Sequence, residues 1–572
     1  MSDRAQAMLF EAFARSFFAS PAGLSAGELI AMFHYYFLGN PEGIGFDAPA
    51  TDHLTAIWQP FAAYLTAHEA QVRTATPVRV VAPAGTEAVI IGGGVAGATA
   101  AVVLAERGVS VTLLEAAPTL GGRLGAWPHT LPDGTEQVVE HGFHAFFRHY
   151  YTWRSVLRRI DPELSFLRPV SGYPVISREY PPEQLTGLPG APPFNLLALF
   201  ARSPSLGLRD LLGSEQALAA ELLAYDRERT TALFDALPAA EFLAGLRMSD
   251  RALAMLFEAF ARSFFAEPAA LSSAELIAMF HYYFLANPEG IAFDAPATDH
   301  LTCIWEPLQA LLAKLGAQVR TSTAASAIVP ADGHRWRVEL SDGSTLDTRH
   351  LVLAVHPGAL RSLLAASPRA AEAAPRLAEK AAALPLAPPF AVTRLWLGSD
   401  VAPGHPVFNA VSREPTLDSV TVYSRLEQPC AEWATRTGGA VLELHSYACS
   451  APDAHTATAR MRAELAALWP ETSDAPVVHL QQRFEATAPT FPPGGAGTRP
   501  TVSGDARGIR VAGDFVDTPF LTGLMERASA SGVLAANDVL AEVGAGPEEI
   551  LGVPQRGLLA GLLPRRSAAW RG

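Results

Sequence analysis

The chain has 572 residues, 49% of them hydrophobic and 17% charged, with a formal net charge of -14 and three cysteines. That length supports two or three domains around a large core, and the negative balance argues against a nucleic-acid partner, whose phosphates it would repel. Cys303, Cys430 and Cys449 form no CxxC and no metal-ligand spacing, which points to a reduced cytoplasmic setting without a disulfide framework and leaves an apolar substrate open.

From the amino terminus, residues 1–60 repeat residues 248–307 with mismatches only at positions 6, 20, 23, 26, 27, 39, 45, 56 and 59, and similarity returns at 71–76 against 318–323. Stacked repeats recur several times at short period, so a unit found twice reads as a duplication. Residues 1–80 are therefore expected to be an appendage, a partial duplicate of 248–323. It is either a duplication or start-site artefact without a catalytic role, or a segment that docks on the body or on a second subunit. The first residues carry no signal-peptide pattern, and no charge-free apolar run of about eighteen residues predicts a transmembrane helix.

Next comes the densest chemistry in the chain. A β-branched run ends at Ile91, glycines stand at 92, 94 and 97, an alanine-rich helix runs to Arg107, and a strand over Val109–Leu114 closes on Glu115. This order of strand, glycines, helix, strand and acid predicts a βαβ dinucleotide cradle. Gly92 allows a sharp turn, Gly94 brings bare backbone to a pyrophosphate at the positive helix end, Gly97 lets helix and strand approach, and Glu115 accepts a ribose diol. Gly121, Gly122 and Arg123 follow directly, a second glycine pair with a guanidinium suited to a diphosphate.

Further along, residues 146–162, 193–247 and 250–286 carry helical spacing. Val319–Val329, Arg335–Leu340 and Leu351–Val355 read as strands, with Asp342-Gly343 as a hairpin turn. Val392–Leu397, Ser419–Tyr423 and Val441–Tyr447 read as a second sheet. His141, His144 and His149 share no face with an acid and sit among aromatics, so no metal site is expected and an apolar tunnel suits them better. Phe260, Phe264, Phe265, Phe280, His281, Tyr282, Tyr283 and Phe284 form a second aromatic cluster, divided between core and tunnel. His356 ends a strand, either as a base or as a residue shaping the pocket. At 509–537 a short strand, Gly513-Asp514 and a small-residue helix containing Met525 complete the pattern. The tail at 557–572 reads either as an interfacial segment or as a disordered end.

Expected from this is an α/β fold: a Rossmann-type dinucleotide domain built from 87–165, 301–365 and 501–545, interleaved with an α+β substrate domain built from 166–300 and 366–500. The duplicated helical segment 1–80 and the tail 546–572 lie outside both.

Several stretches carry a family resemblance: VEHGFHAFFRHYY at 139–151, ARSFFAEPAALSSAELIAMFHYYFLANPEGIAFD at 261–294, LDSVTVYSRL at 417–426, GGAVLELHSYA at 438–448 and AGDFVDTPFLTGLMERASASG at 512–532. Over about 87–540 the chain resembles the FAD-dependent carotenoid oxidoreductases of the phytoene/ζ-carotene desaturase and amine oxidase superfamily, and most closely the isorenieratene synthase type, the β-ring desaturase/methyltransferases. The resemblance implies FAD as cofactor, held by Gly92, Gly94, Gly97, Glu115, Gly122, Arg123, Gly513, Asp514 and Met525. It also implies a hydrophobic carotenoid substrate and a peripheral position on the inner face of a membrane, with the electron acceptor unidentified. The implied chemistry is hydride removal from an allylic ring carbon, methyl migration, proton loss and a second oxidation that aromatises a β-ionone ring. The base is unassigned, with His144, His281 and Glu140 as candidates. Where desaturases and amine oxidases have glycine-alanine, this chain has Arg527-Ala528, an arginine that could crowd or tune the flavin. Three alternatives remain at this level: a desaturase or isomerase acting on a linear polyene, a flavin amine oxidase, and a non-catalytic relic.

Overall fold

A run of β-branched and small apolar residues forms β1 (Glu87–Ile91), and the glycines behind it open α1 (Val95–Glu106), which returns the chain to β2 (Ser110–Leu114). The computed structural model describes residues 81–561 apart from 186, 190–193, 208, 209, 211 and 212, together with 59, 60 and 63. The reading of 1–80 as an appendage and the tail beyond residue 561 thus lie outside the described residues.

Distant segments complete the sheet. Strands β3 (Gln318–Arg320), β4 (His350–Leu353) and β5 (Ile509–Val511) join it in the order β3-β2-β1-β4-β5, every neighbouring pair parallel. Parallel strands covered on both faces need continuous apolar runs, and β4 and β5 are buried throughout. After β5 the chain forms α2 (Leu524–Glu542), which crosses α1. At that crossing a Cβ on Gly532 would stand 2.3 Å from the Ala96 carbonyl, and Thr99 and Ser529 share a 3.1 Å hydroxyl bond. Small residues thus let the first and last helices of this domain touch backbone to side chain.

The second layer is a seven-stranded sheet in the order Val477–Glu485, Phe390–Leu397, Ala440–Ser446, Ser419–Val422, Phe408–Val411, Pro174–Ile176, Glu183–Gln184. Helix Ala454–Leu468 covers one face, where Ala391, Leu395, Leu442 and Leu444 pack with Met461 and Leu465. The period of two sends Val392, Arg394, Glu443 and His445 to the other face.

Three expectations change in detail. Val319–Val329 is two strands, β3 and Ala325–Ala331, because the chain leaves the parallel sheet to begin a meander with Arg335–Leu340 and Thr345–Thr348, and the Asp342-Gly343 turn joins the last two. Residues 146–162 begin with the short strand Phe146–Phe147 before helix Tyr151–Leu157. The helical stretch 250–286 contains two π-helical turns, Leu253–Glu258 and His281–Leu285, whose wider winding hydrophobic spacing does not distinguish from α.

Candidate active site

Gly92 takes φ +107°, and a Cβ there would meet the Ala354 carbonyl oxygen at 2.4 Å; one on Gly97 would meet the Gly92 carbonyl at 1.9 Å. Both glycines are thus fixed by backbone packing between β1, β4 and α1. Gly94 differs: its nearest neighbours would be the Gly121 carbonyl at 3.8 Å and Gly122 Cα at 3.9 Å, across from the second glycine loop. The Gly121 N–H donates to the Gly93 carbonyl at 2.9 Å, so the two loops form one bare-backbone wall. No side chain caps α1, and Gly94, Val95 and Ala96 at its N-terminal end line a cavity of about 680 Å³. Glu115 reaches the same wall: its Oε2 accepts the Gly93 N–H at 2.7 Å and its Oε1 the Ala117 N–H at 2.8 Å.

The C-terminal motif closes this end. Arg123 Nη2 donates to Asp514 Oδ1 at 2.6 Å, and the Gly513 N–H donates to the Ser531 hydroxyl of α2 at 2.9 Å. Gly92, Gly94, Glu115, Gly122, Arg123, Gly513, Asp514 and Met525 all line the one cavity, whereas Gly97 lies behind it in the helix packing. An uncapped helix end, two glycine loops, an acid at the end of β2 and an arginine-aspartate pair are the donor set a flavin adenine dinucleotide requires, so these residues fit that group.

Away from the glycines the cavity wall turns aromatic, with Phe143, Phe147, Tyr173, Phe260, Phe264 and Phe408 among its lining. Phe143 stacks on Phe408 with centroids 5.2 Å apart. Of the second aromatic cluster, Phe260, Phe264, Phe265, Tyr283 and Phe284 face the cavity, while Phe280, His281 and Tyr282 belong to the core.

The candidate bases separate. His144 lines the cavity; its Nδ1 lies 2.7 Å from the Gly142 carbonyl, and burial together with the neighbouring His300 pushes its pKa down to about 3. His281 does not line it, because its ring is stacked on Tyr225 and its Nε2 lies 3.3 Å from the Pro554 carbonyl. Glu140 is also outside the cavity, buried where its carboxylate accepts the Tyr423 hydroxyl at 2.8 Å and the His300 N–H at 3.0 Å beside Arg394. Burial raises its pKa to about 7, against the pull of Arg394. His356 lines the cavity, but its Nδ1 accepts the Ala359 N–H at 3.4 Å, capping helix Pro357–Ala365. Arg527 does not line the cavity: it donates to Glu275 at 2.7 Å, to the Thr522 carbonyl at 2.9 Å and to the Asp514 carbonyl at 3.4 Å, and lies over the Phe491 ring, while Ala528 takes the place at the wall.

A pair that sequence reasoning missed also lines the wall. His445 faces the cavity with its Nε2 2.7 Å from Glu443 Oε1. Directly across the strand pair, Arg394 donates to Glu443 Oε2 at 2.9 Å, and the Phe143 N–H donates to Glu443 Oε1 at 2.6 Å. Burial opposes ionisation of Glu443, but Arg394, then His445 and the Phe143 amide, hold its pKa at about 2. The signal was present in LELHS: two polar residues at alternate positions of an otherwise apolar strand share a face, and in a buried sheet they need a reason to be there.

A family model described as flavin containing amine oxidoreductase matches residues 95–540. A carotenoid phi-ring synthase of Streptomyces griseus is 42% identical over 482 residues, covering 84% of this chain and 92% of that protein. A carotenoid phi-ring synthase of Chlorobaculum tepidum is 27% identical, covering 83% and 91%. Among solved structures, cyclohexylamine oxidase from Brevibacterium oxydans superposes with a TM-score of 0.58 at 17% identity, covering 80% of this chain and 99% of that one, and wild-type putrescine oxidase with 0.57 at 15%, covering 80% and 99%. These structures share the fold.

Proposed function

Because this chain belongs to the flavin containing amine oxidoreductase family and is an FAD-dependent oxidoreductase, we propose that it acts on the end ring of a carotenoid and aromatises a β-ionone ring by desaturation with methyl migration. The observation that carries the reading is one continuous cavity, glycine-walled and charged at one end and aromatic at the other. A polyene fits the second part by chemistry: its transfer from lipid costs little there, and it offers no polar group that would need a partner.

FAD, when bound, supplies a two-electron acceptor for hydride. The chain's own part is position and environment. Gly94 and Gly122 would present bare backbone to the diphosphate, Glu115 would take the ribose, and Arg123 with Asp514 would hold the diphosphate and ribityl region. The faces of Phe143, Tyr173 and Phe408 stabilise positive charge on a ring beside them and keep water from trapping it before a methyl group can shift.

A carotenoid dissolved in a bilayer must reach that cavity. Among the described residues no helix is long and apolar enough to cross a membrane. Helix Phe194–Arg202, however, leaves Phe194 61%, Leu197 62% and Phe200 37% exposed. Its Leu199 and Asn195 line a second cavity of about 350 Å³, which shares Leu185, Phe284 and Ile291 with the first. This helix is the face we assign to a membrane surface, with the second cavity as the way in.

Expression in cells that accumulate β- or γ-carotene, with pigments resolved by mass and absorption, tests the function. The expected product carries an aromatic end ring, with a mass loss of two desaturations per ring. Loss of hydrogen without ring aromatisation favours a desaturase acting on the polyene.

A further inference from the structure

We propose that His445 is the proton acceptor of the ring reaction and that Glu443 is the residue positioning it, an inference that rests on the end-ring reading above. Glu443 and His445 lie two apart on strand Ala440–Ser446 and so share the face turned to the cavity. Glu443 is fixed from three sides, by Arg394 Nε at 2.9 Å, by the Phe143 N–H at 2.6 Å and by His445 Nε2 at 2.7 Å. An ionised carboxylate only accepts, so Nε2 carries the ring hydrogen and Nδ1 keeps the lone pair. The Phe143 amide also lies 3.4 Å from Nε2, but it spends its hydrogen on the closer Glu443 oxygen. Nδ1 makes no hydrogen bond among the described residues, and the ring is wedged against Gly142, where an added Cβ would stand 3.0 Å from Cε1.

The other histidines of the cavity lack this combination. His356 spends its Nδ1 lone pair on a helix amide. His144 is set against His300 and has no carboxylate partner among the described residues. His141 pairs with Glu485 at 3.2 Å, but that carboxylate is one-third exposed and belongs with His356, Arg123 and Asp514 at the charged end. A buried, ionised partner is what stabilises an imidazolium as it forms.

In the step assigned to His445, the substrate has already given up a hydride and its methyl group has shifted. A C–H bond of the cationic ring then breaks, its electron pair becomes a ring double bond, and the proton moves to Nδ1. The imidazolium faces Glu443 until it releases the proton to water.

The test uses flavin-loaded full-length protein and β-carotene in phosphatidylcholine vesicles without oxygen, in two arms: alone for the flavin readout, and with an added quinone that re-oxidises the flavin for the product readout, because aromatising one ring removes four electrons and the flavin holds two. Bleaching of the flavin reports oxidation of the substrate, and product analysis reports aromatisation. His445→Gln, whose amide can still donate to Glu443, should keep bleaching while aromatic product falls by about 100-fold or more, in the range of a lost general base. Glu443→Gln should also lose product formation, while His445→Ala should recover part of it on addition of imidazole. Product formation by His445→Gln within about threefold of the parent overturns the proposal. Should no variant fold, the parent decides by its pH profile. The groups facing His445 are Glu443, His144 and Tyr447, with Arg394 behind Glu443. Product formation should fall on acidification while bleaching persists, as removal of a general base requires, and a flat profile overturns the proposal. If the parent neither bleaches nor forms an aromatic ring, it is the end-ring reading that fails.

Discussion

Arg123 and Asp514, 391 positions apart in the chain, meet in a 2.6 Å ion pair at the charged end of the cavity. The pair brings the second glycine loop and the strand-end aspartate to one place, so two motifs that could each belong to many folds become a single binding surface. Asp514 is almost fully buried, and the half-buried guanidinium is its counter-charge.

Arg123→Met should therefore weaken flavin binding by about 10–100-fold, the loss of one or two charge-assisted contacts. Flavin absorbance per mole of purified protein, followed by titration of the apoprotein with FAD, measures it. Arg123→Lys should recover only part, because an ammonium lacks the planar fork.

Gly97→Ala and Gly94→Ala should fail in different ways. At 97 a Cβ would overlap the Gly92 carbonyl at 1.9 Å, so the fold itself should lose about 1–3 kcal/mol or more. At 94 the nearest atoms are 3.8 Å away, so stability of the apoprotein should stay within about 1 kcal/mol while FAD affinity drops. Thermal melts with and without added FAD separate the two.

Arg527→Met leaves Glu275 buried without its partner and should cost about 3–5 kcal/mol. The flavin spectrum of the protein that remains folded should not change, since Arg527 does not line the cavity and reaches Asp514 only at its backbone carbonyl. A shifted flavin spectrum would return Arg527 to the role of tuning the cofactor.

Burial and the neighbouring Glu140 push the Glu427 carboxyl up to about 8, with Arg394 opposing. The folded protein holds this proton more tightly than the unfolded chain, so the stability it contributes is complete below pH 4.5 and is lost as pH rises through about 8. Urea unfolding of Glu427→Gln and the parent should show a difference in the variant's favour that grows by on the order of 1–3 kcal/mol from acid to alkaline pH.

Removing residues 1–80 should leave flavin content and turnover unchanged. Residues 79–572 form one compact unit by themselves, and the inner copy of the repeat, with its cavity-lining Phe260, Phe264, Tyr283 and Phe284, stays in place. Loss of activity on truncation would assign the outer copy a part in the enzyme.

The cofactor end was legible in the sequence because each requirement there is local. A turn at Gly92, close packing at Gly97 and an acid at Glu115 follow from a few neighbouring positions, whereas the strand order β3-β2-β1-β4-β5 is set by pairing with distant segments. The substrate end was legible only as composition. Whether Phe264 or Phe280 faces the cavity depends on helix rotation and on the π-helical turn at His281–Leu285, neither of which aromatic spacing encodes. Proximity to aromatics in the sequence puts His144, His281 and Glu140 forward alike as bases, and only His144 lines the cavity. The surroundings of His281 and Glu140, a stacked Tyr225 and a buried Arg394, come from segments far away in the chain. Glu443 and His445 needed only the rule of alternation along a strand.

The contact of Gly532 with Ala96 also sets an order of events during synthesis. The amides of the first loop leave the ribosome early, yet the helix that supports them and the aspartate that completes them are made about 400 residues later. A growing chain therefore has no finished place for its cofactor, and flavin capture becomes one of the closing acts of folding. Truncated products would be colourless however much of the cradle they contain.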